Sequence, residues 1–158
     1  MARRSDAAAP ADPTLDEIRA LLAPAIADAA AFDGWSDRAV DAAAAAAGVD
    51  RAVARLAFKD GAMAMIAAWI GTIDAAMAQA LPPETLAAMK VRERIRALVQ
   101  FRLDRMVGRE EALRRAQAIM ALPHNAAKSL RLGWNSADLM WRLAGDAATD
   151  YNYYTKRA

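Results

Sequence analysis

Apolar residues recur every three or four positions along most of the chain, and this helical spacing is the feature that most limits the fold. No segment alternates apolar and polar residues as a half-buried strand does. Alanine, leucine, arginine and methionine, all good helix formers, dominate the sequence. The fold class is therefore predicted to be all-α, and a length of 158 residues suits one domain.

Helix start and stop signals predict eight helices. Thr14 and Glu17 fit a capping box at the first, Ser36 and Asp50 are expected to cap the second and third, and Asp60 to open the fourth. The remaining predictions are an end of the fourth helix at 81–83, a fifth helix over 84–107, a sixth over 109–121, a seventh over 125–144 and an eighth from Thr149 or Asp150.

The predicted organisation is a tail over 1–13, a helix-turn-helix-like three-helix unit over 14–60, and a helical region over 61–158 packed with it as one domain. The apolar stretch 61–73 meets Asp74 well short of the ~20 residues that span a bilayer. The first residues lack the apolar stretch of a signal peptide. We therefore expect a cytoplasmic protein. A bacterial source is expected as well, with any membrane contact peripheral to the inner membrane.

Residues that usually perform catalysis are scarce. The chain has no cysteine and one histidine, His124, so thiolate chemistry and a di-iron site built on two Glu-x-x-His pairs are excluded. Its seven glycines never take the spacing of a nucleotide-binding loop. We expect no enzyme activity, catalytic residue, metal or cofactor. An enzyme that uses His124 is the third alternative.

The helix-turn-helix-like unit carries no net positive charge. The segment from Trp35 to Asp60 contains four basic and four acidic residues, and the whole chain has a net charge of only +2. A DNA-binding module gains most of its non-specific affinity from a positive face. We therefore expect no nucleic-acid partner, and a transcriptional regulator is the second alternative.

Two predicted helices are unusually apolar. The fourth carries methionines, isoleucines and Trp69 among small residues, which suits either a core or a cavity for a greasy ligand. The seventh has one polar stripe at Arg131, Asn135, Asp138 and Arg142 and is otherwise largely apolar. It could face the core, line a cavity or meet a partner, and Trp141, beside the stripe, is predicted to be partly exposed.

Three stretches of the sequence resemble the coenzyme Q biosynthesis accessory family, the lipid-binding "coenzyme Q nine" proteins. They are "FDGWS" with "FKDG" between Phe32 and Gly61, "ALPHN" at 121–125, and "DLMWRLAGDAATDYNYYTKRA" at 138–158. The family pattern W-x-x-A-G-D-x-x-T-D-x-N-x-Y-T-[KR]-R-A is met without a gap from Trp141 to Ala158.

The resemblance implies a tetracycline-repressor-like fold whose helix-turn-helix no longer binds DNA. It also implies binding of an isoprenoid lipid or quinone precursor and association with the di-iron hydroxylase of ubiquinone biosynthesis. Family members continue beyond the motif into dimer-forming and membrane-seeking helices. A homodimer and peripheral membrane contact are therefore expected to depend on such helices.

The expected site residues follow from the apolar helices and from the resemblance. The lipid is expected to lie between the fourth, fifth and seventh predicted helices, in a void beside Trp69, Leu103 and Met140. Its predicted contacts are Trp69, Ile73, Met77, Val99, Leu103, Met106, Trp134 and Met140. The family's partner-facing patch corresponds here to Leu122, Pro123, Asp138, Trp141 and Arg142.

Overall fold

The first helix begins at the predicted capping box. In the computed structural model, which describes residues 13–145, the Thr14 hydroxyl accepts a hydrogen bond from the Glu17 amide at 3.2 Å. The Glu17 carboxylate accepts one from the Thr14 amide at 2.7 Å. These two bonds satisfy amides that a helix start leaves unpaired. Helix α1 follows over Leu15–Asp33.

Two shorter helices complete the helix-turn-helix-like unit: α2 over Asp37–Ala47 and α3 over Arg51–Ala57. Gly48 ends α2 with φ of 68°, a left-handed conformation that suits glycine, and Asp50 caps α3 by accepting from two amides. Ser36 takes the predicted N-cap position of α2, but its hydroxyl makes no cap bond and instead donates to the carbonyl of Asp33 at 2.9 Å.

Helix α4 covers Ala62–Ala80 and passes through Asp74, with Gly61 rather than the predicted Asp60 at its start. By length and composition, it is the one helix within residues 13–145 that could cross a membrane. A core helix meets the same criterion, and Met65, Ile66 and Trp69 are buried against the rest of the bundle. We therefore describe α4 as a core helix.

The predicted single helix over 84–107 is two helices, α5 over Pro83–Ala87 and α6 over Val91–Met106. Lys90 between them is extended, and its amide donates to the Glu93 carboxylate in the first turn of α6. Arg94 reaches back and donates to the carbonyls of Ala87 and Met89 at 3.2 and 2.8 Å. The guanidinium thus satisfies carbonyls that the break leaves without helical partners.

Helix α7 covers Glu110–Met120, a short 3-10 turn covers Pro123–Asn125, and α8 covers Ala126–Leu143. The buried Asn125 side chain donates to the carbonyl of Ile119 at 2.8 Å and holds the turn between the two helices. The eighth predicted helix, from Thr149 or Asp150, lies outside the described residues.

Two apolar clusters hold the helices together, and the predicted all-α class is confirmed. In the larger cluster, the rings of Trp35 and Trp69 lie 5.5 Å apart, and the Trp35 indole donates to the carbonyl of Ala112 at 3.0 Å. Among the described residues, the smaller cluster has four buried members, Met77, Leu86, Leu98 and Ala144. It joins α4, α5 and α6 to the end of α8.

Candidate functional site

A buried polar link connects the three helices expected to hold the lipid. Asp74 on α4 pairs with the Arg102 guanidinium on α6, and the Ser136 hydroxyl on α8 donates to Asp74 Oδ2 at 2.7 Å. The Asp74 and Arg102 side chains are only 17% and 15% exposed. Burial lowers the pKa of the Arg102 guanidinium. The link fixes α4, α6 and α8 against one another.

Two of the eight predicted lipid contacts line a cavity of about 270 Å³. Trp69, Ile73 and Thr72 on α4 form its inner wall, and Arg105 and Arg109 lie on its other side. The wall is apolar because Trp69 and Ile73 belong to the larger core cluster. We call this space the Trp69 cavity. Leu103 and Met140 do not line it.

The other six predicted lipid contacts lie in different surroundings. Met106 packs against the larger cluster, whereas Met77 and Met140 belong to the smaller one or pack on it. Val99, Leu103 and Trp134 are exposed, Leu103 by 54%. The structure therefore brings Trp69 and Ile73 together around a cavity but does not gather all eight residues around one chamber. Their role in lipid binding stays a prediction.

A larger trough lies between α1 and α4, and sequence reasoning missed it. It encloses about 630 Å³, and α4 lines it largely with small residues. Ala64, Ala68, Gly71 and Ala75 recur there at helical spacing, and that spacing is the signal that could have predicted the trough. Next to it, a space of about 270 Å³ reaches Lys128 and Arg131 on α8.

The predicted partner residues occupy the two ends of α8. Leu122 and Pro123 are exposed beside its start, whereas Asp138, Trp141 and Arg142 lie near its end. Arg142 Nε pairs with Asp138 Oδ2 at 3.0 Å, and Trp141 is half-buried, as predicted. At 1.5 Å per residue, the 18 residues of α8 place its two ends about 26 Å apart.

One face of α8 connects these ends. Leu130, Trp134 and Trp141 lie at i, i+4 and i+11, and Leu130 and Trp134 are 75% and 37% exposed. We call these three residues the α8 outer face. The opposite side of α8 packs inward through Leu132, Leu139 and Leu143. Sequence reasoning missed Leu130, although its position four residues before Trp134 is a helical-face signal.

The arginines of α3 are occupied by acidic residues of α2. Arg55 binds Asp41 with two hydrogen bonds, of 2.7 and 2.6 Å, and Asp37 with one of 2.9 Å. Arg51 Nη2 lies 3.0 Å from Asp41 Oδ2. The hydrogen bond from Arg55 lowers the pKa of Asp41, which favours the charged carboxylate. These contacts neutralise the face that would approach DNA.

The described residues thus define an all-α protein in which a helix-turn-helix-like unit with neutralised arginines joins a bundle with an outward apolar face. The family whose model matches the chain is COQ9, over residues 126–158. The chain is related to the ubiquinone biosynthesis COQ9 proteins, and the predicted resemblance to that family is confirmed. The more specific likeness to tetracycline repressors stays a prediction.

Three relatives carry the printed name "Ubiquinone biosynthesis protein COQ9, mitochondrial". The Homo sapiens protein is 32% identical, and those of Bos taurus and Rattus norvegicus are each 31% identical, over 132 residues. The match covers 79% of this chain but only 41%, 41% and 42% of the three relatives.

These names correct one prediction. A cytoplasmic location is contradicted, because the relatives are named as mitochondrial proteins. The predicted bacterial source gains no support from them either.

Proposed function

We propose that this chain is a non-enzymatic lipid-binding accessory protein of ubiquinone biosynthesis. It holds an isoprenoid quinone precursor and presents it to the di-iron hydroxylase of that pathway. The observation that carries the proposal is the similarity to COQ9 proteins over 132 residues, which reaches well beyond the residues matched by the family model.

The bundle offers space for an apolar guest. The Trp69 cavity has buried aromatic and aliphatic side chains on its inner wall, as small-molecule sites commonly do. At about 270 Å³ it lies just below the ~300 Å³ lower end of such sites. It therefore suits one end of an isoprenoid rather than a whole lipid, and the trough along the other side of α4 provides further apolar surface.

The α8 outer face supports docking on a protein partner. A tryptophan in a partly exposed apolar patch is a common anchor in protein interfaces. Trp134 and Trp141 lie on this face, beside the Asp138–Arg142 ion pair. An apolar centre with a charged rim is the usual anatomy of such an interface.

The neutralised helix-turn-helix-like unit favours an accessory role over gene regulation. A DNA reader would need Arg51 and Arg55 for phosphates or base edges, but Asp41 and Asp37 bind them.

The test is lipid analysis of the purified protein by mass spectrometry, together with binding of a short-chain quinone analogue. We expect a co-purifying isoprenoid, and we expect Ala76→Phe to reduce both signals because Ala76 lines the Trp69 cavity. Ala80→Phe is the matched control, since Ala80 is an exposed position on the same helix. Absence of both an isoprenoid and analogue binding in the unaltered protein would refute the proposal.

A further inference from the structure

The Trp69 cavity has an apolar inside and a charged mouth. Trp69 and Ile73 are 2% and 5% exposed, so their side chains offer carbon surface to whatever enters. The Thr72 hydroxyl donates to the carbonyl of Trp69 at 2.7 Å and is committed to its own helix. Recognition of a polar group in this cavity therefore falls to the arginines at the mouth.

The two arginines differ in their partners. Arg109 binds Asp28 on α1 through two hydrogen bonds, of 2.6 and 3.3 Å, and this contact raises the pKa of Arg109. Arg105 stacks over Phe101 with its guanidinium carbon 4.9 Å from the ring centre. Within residues 13–145, no carboxylate lies at ion-pair distance from Arg105. With Asp28 counted, the mouth carries one uncompensated positive charge.

We propose that the Trp69 cavity binds an amphiphile that carries a single anionic group, a carboxylate or a phosphate. Its apolar part lies against Trp69 and Ile73, and Arg105 binds the anion. This inference rests on the proposed lipid-binding function and narrows it to a ligand class.

Three features support an anionic amphiphile over a neutral lipid. A guanidinium makes strong, directional hydrogen bonds to carboxylate and phosphate oxygens. Stacking on Phe101 fixes the Arg105 guanidinium before the ligand arrives, which lowers the entropy lost on binding. A neutral head group would form no charge-assisted hydrogen bond with Arg105, so it would gain less from the mouth of the cavity than an anion does.

The same anion could belong to a lipid head group or to a small free anion. The apolar wall favours the lipid, because a free phosphate would gain nothing from Trp69 and Ile73. Calorimetric titration of the full chain with dodecyl phosphate, dodecanol and inorganic phosphate separates these sources. Dodecyl phosphate should bind most tightly, and added salt should weaken its binding because salt screens the charge of Arg105.

Arg105→Gln is the test variant and Arg96→Gln its matched control. Both arginines are exposed on α6, but only Arg105 lines the cavity. We expect Arg105→Gln to lower the affinity for dodecyl phosphate about tenfold, as loss of a charge-assisted hydrogen bond would. It should change the affinity for dodecanol less than twofold, and Arg96→Gln should change the affinity for neither ligand.

Each other outcome overturns the proposal in a recognisable way. Equal affinity for dodecyl phosphate and dodecanol removes the anion preference and leaves the proposed lipid-binding function standing. Inorganic phosphate that binds as tightly as dodecyl phosphate indicates a plain anion site. Equal effects of the two glutamine variants indicate general charge attraction. No binding of either dodecyl compound removes the ligand class and counts against the proposed function as well.

Discussion

At the scale of single residues, the Asp74–Arg102 pair is the most demanding feature of the bundle. A charge that leaves water costs several kcal/mol unless another charge and hydrogen bonds replace the solvent. Asp74 receives both, from Arg102 on α6 and from the Ser136 hydroxyl on α8. Removal of one of the two charges is therefore expected to lower the free energy of unfolding far more than removal of both.

We expect Asp74→Leu to lower the free energy of unfolding by about 3–5 kcal/mol, because it leaves the Arg102 charge buried without its partner. The double variant Asp74→Leu with Arg102→Met should recover most of that loss, since no buried charge remains. Urea unfolding of both single variants and the double variant measures the coupling. Simple additivity of the two single effects would show that the pair is not coupled in the folded protein.

Local signals predicted several single residues correctly. The Thr14–Glu17 capping box and the Asp50 cap form as predicted because their partners lie within three residues in the chain. Arg102 was not predicted, since one arginine among many on α6 is identified only when α4 packs against it. The available signal was Asp74 itself, a lone charge inside an apolar helix that needs a partner.

At the scale of elements, α8 is apolar on two opposite sides. Leu132, Leu139 and Leu143 pack inward, whereas Leu130 and Trp134 face outward. A helix of a bundle normally has one apolar side and one polar side. The second apolar side of α8 is therefore a candidate contact surface.

We expect Trp141→Ala to weaken association with the hydroxylase by about 2 kcal/mol or more, as truncation of an interface anchor does. The melting temperature should change little, because Trp141 is only half-buried. Arg131→Ala, at an exposed polar position of the same helix, is the control and should change neither quantity. Pull-down or titration with the hydroxylase, alongside thermal unfolding, provides the two measurements. Unchanged association with a loss of stability near the 3–5 kcal/mol of a core tryptophan would place Trp141 in the core instead.

Element types were easier to predict than their breaks. The helical spacing over 84–107 continues through the break at Lys90, and neither proline nor glycine marks that position. The two helices separate there because Glu93 binds the Lys90 amide and Arg94 binds carbonyls of the preceding turn. Glutamate and arginine are ordinary residues of a continuous helix, so the sequence carries no clear signal of the break.

At the scale of the whole molecule, the helix-turn-helix-like unit is packed into the rest of the bundle. Helix α1 packs on α4 and α7 as well as on α2 and α3. The Trp35 indole, just after α1, reaches the Ala112 carbonyl on α7 and stacks near Trp69 on α4. That 14–60 and the following helices act as one domain stays a prediction.

We expect Trp35→Phe to lower the free energy of unfolding by about 1–3 kcal/mol, because the Ala112 carbonyl loses the indole donor and the smaller ring leaves a cavity. Unfolding should remain a single transition, with backbone and aromatic circular dichroism changing together. Trp134→Phe, at an exposed position, is the matched control. Separate transitions for the two signals would contradict cooperative unfolding of these helices as one unit.

The overall class could be predicted from the sequence, whereas the shape of the site could not. Spacing along a helix identifies which residues share a face, but it does not identify the neighbour that this face meets. Trp69 and Ile73 share a face of α4 and line one cavity. Leu103 shares the apolar spacing of α6 and lies exposed, because the helices around it leave that side uncovered within residues 13–145.

The polar link among Asp74, Arg102 and Ser136 also sets the axial register of three helices. A slide of α6 along α4 by one turn, about 5.4 Å, would carry Arg102 away from Asp74 and separate two largely buried charges. Apolar side chains alone would tolerate such a slide far better, because leucine and methionine repack with little penalty. The link therefore favours one position of α6 along α4. Because α4 lines both the Trp69 cavity and the trough, that fixed position also helps to hold the shapes of these two spaces.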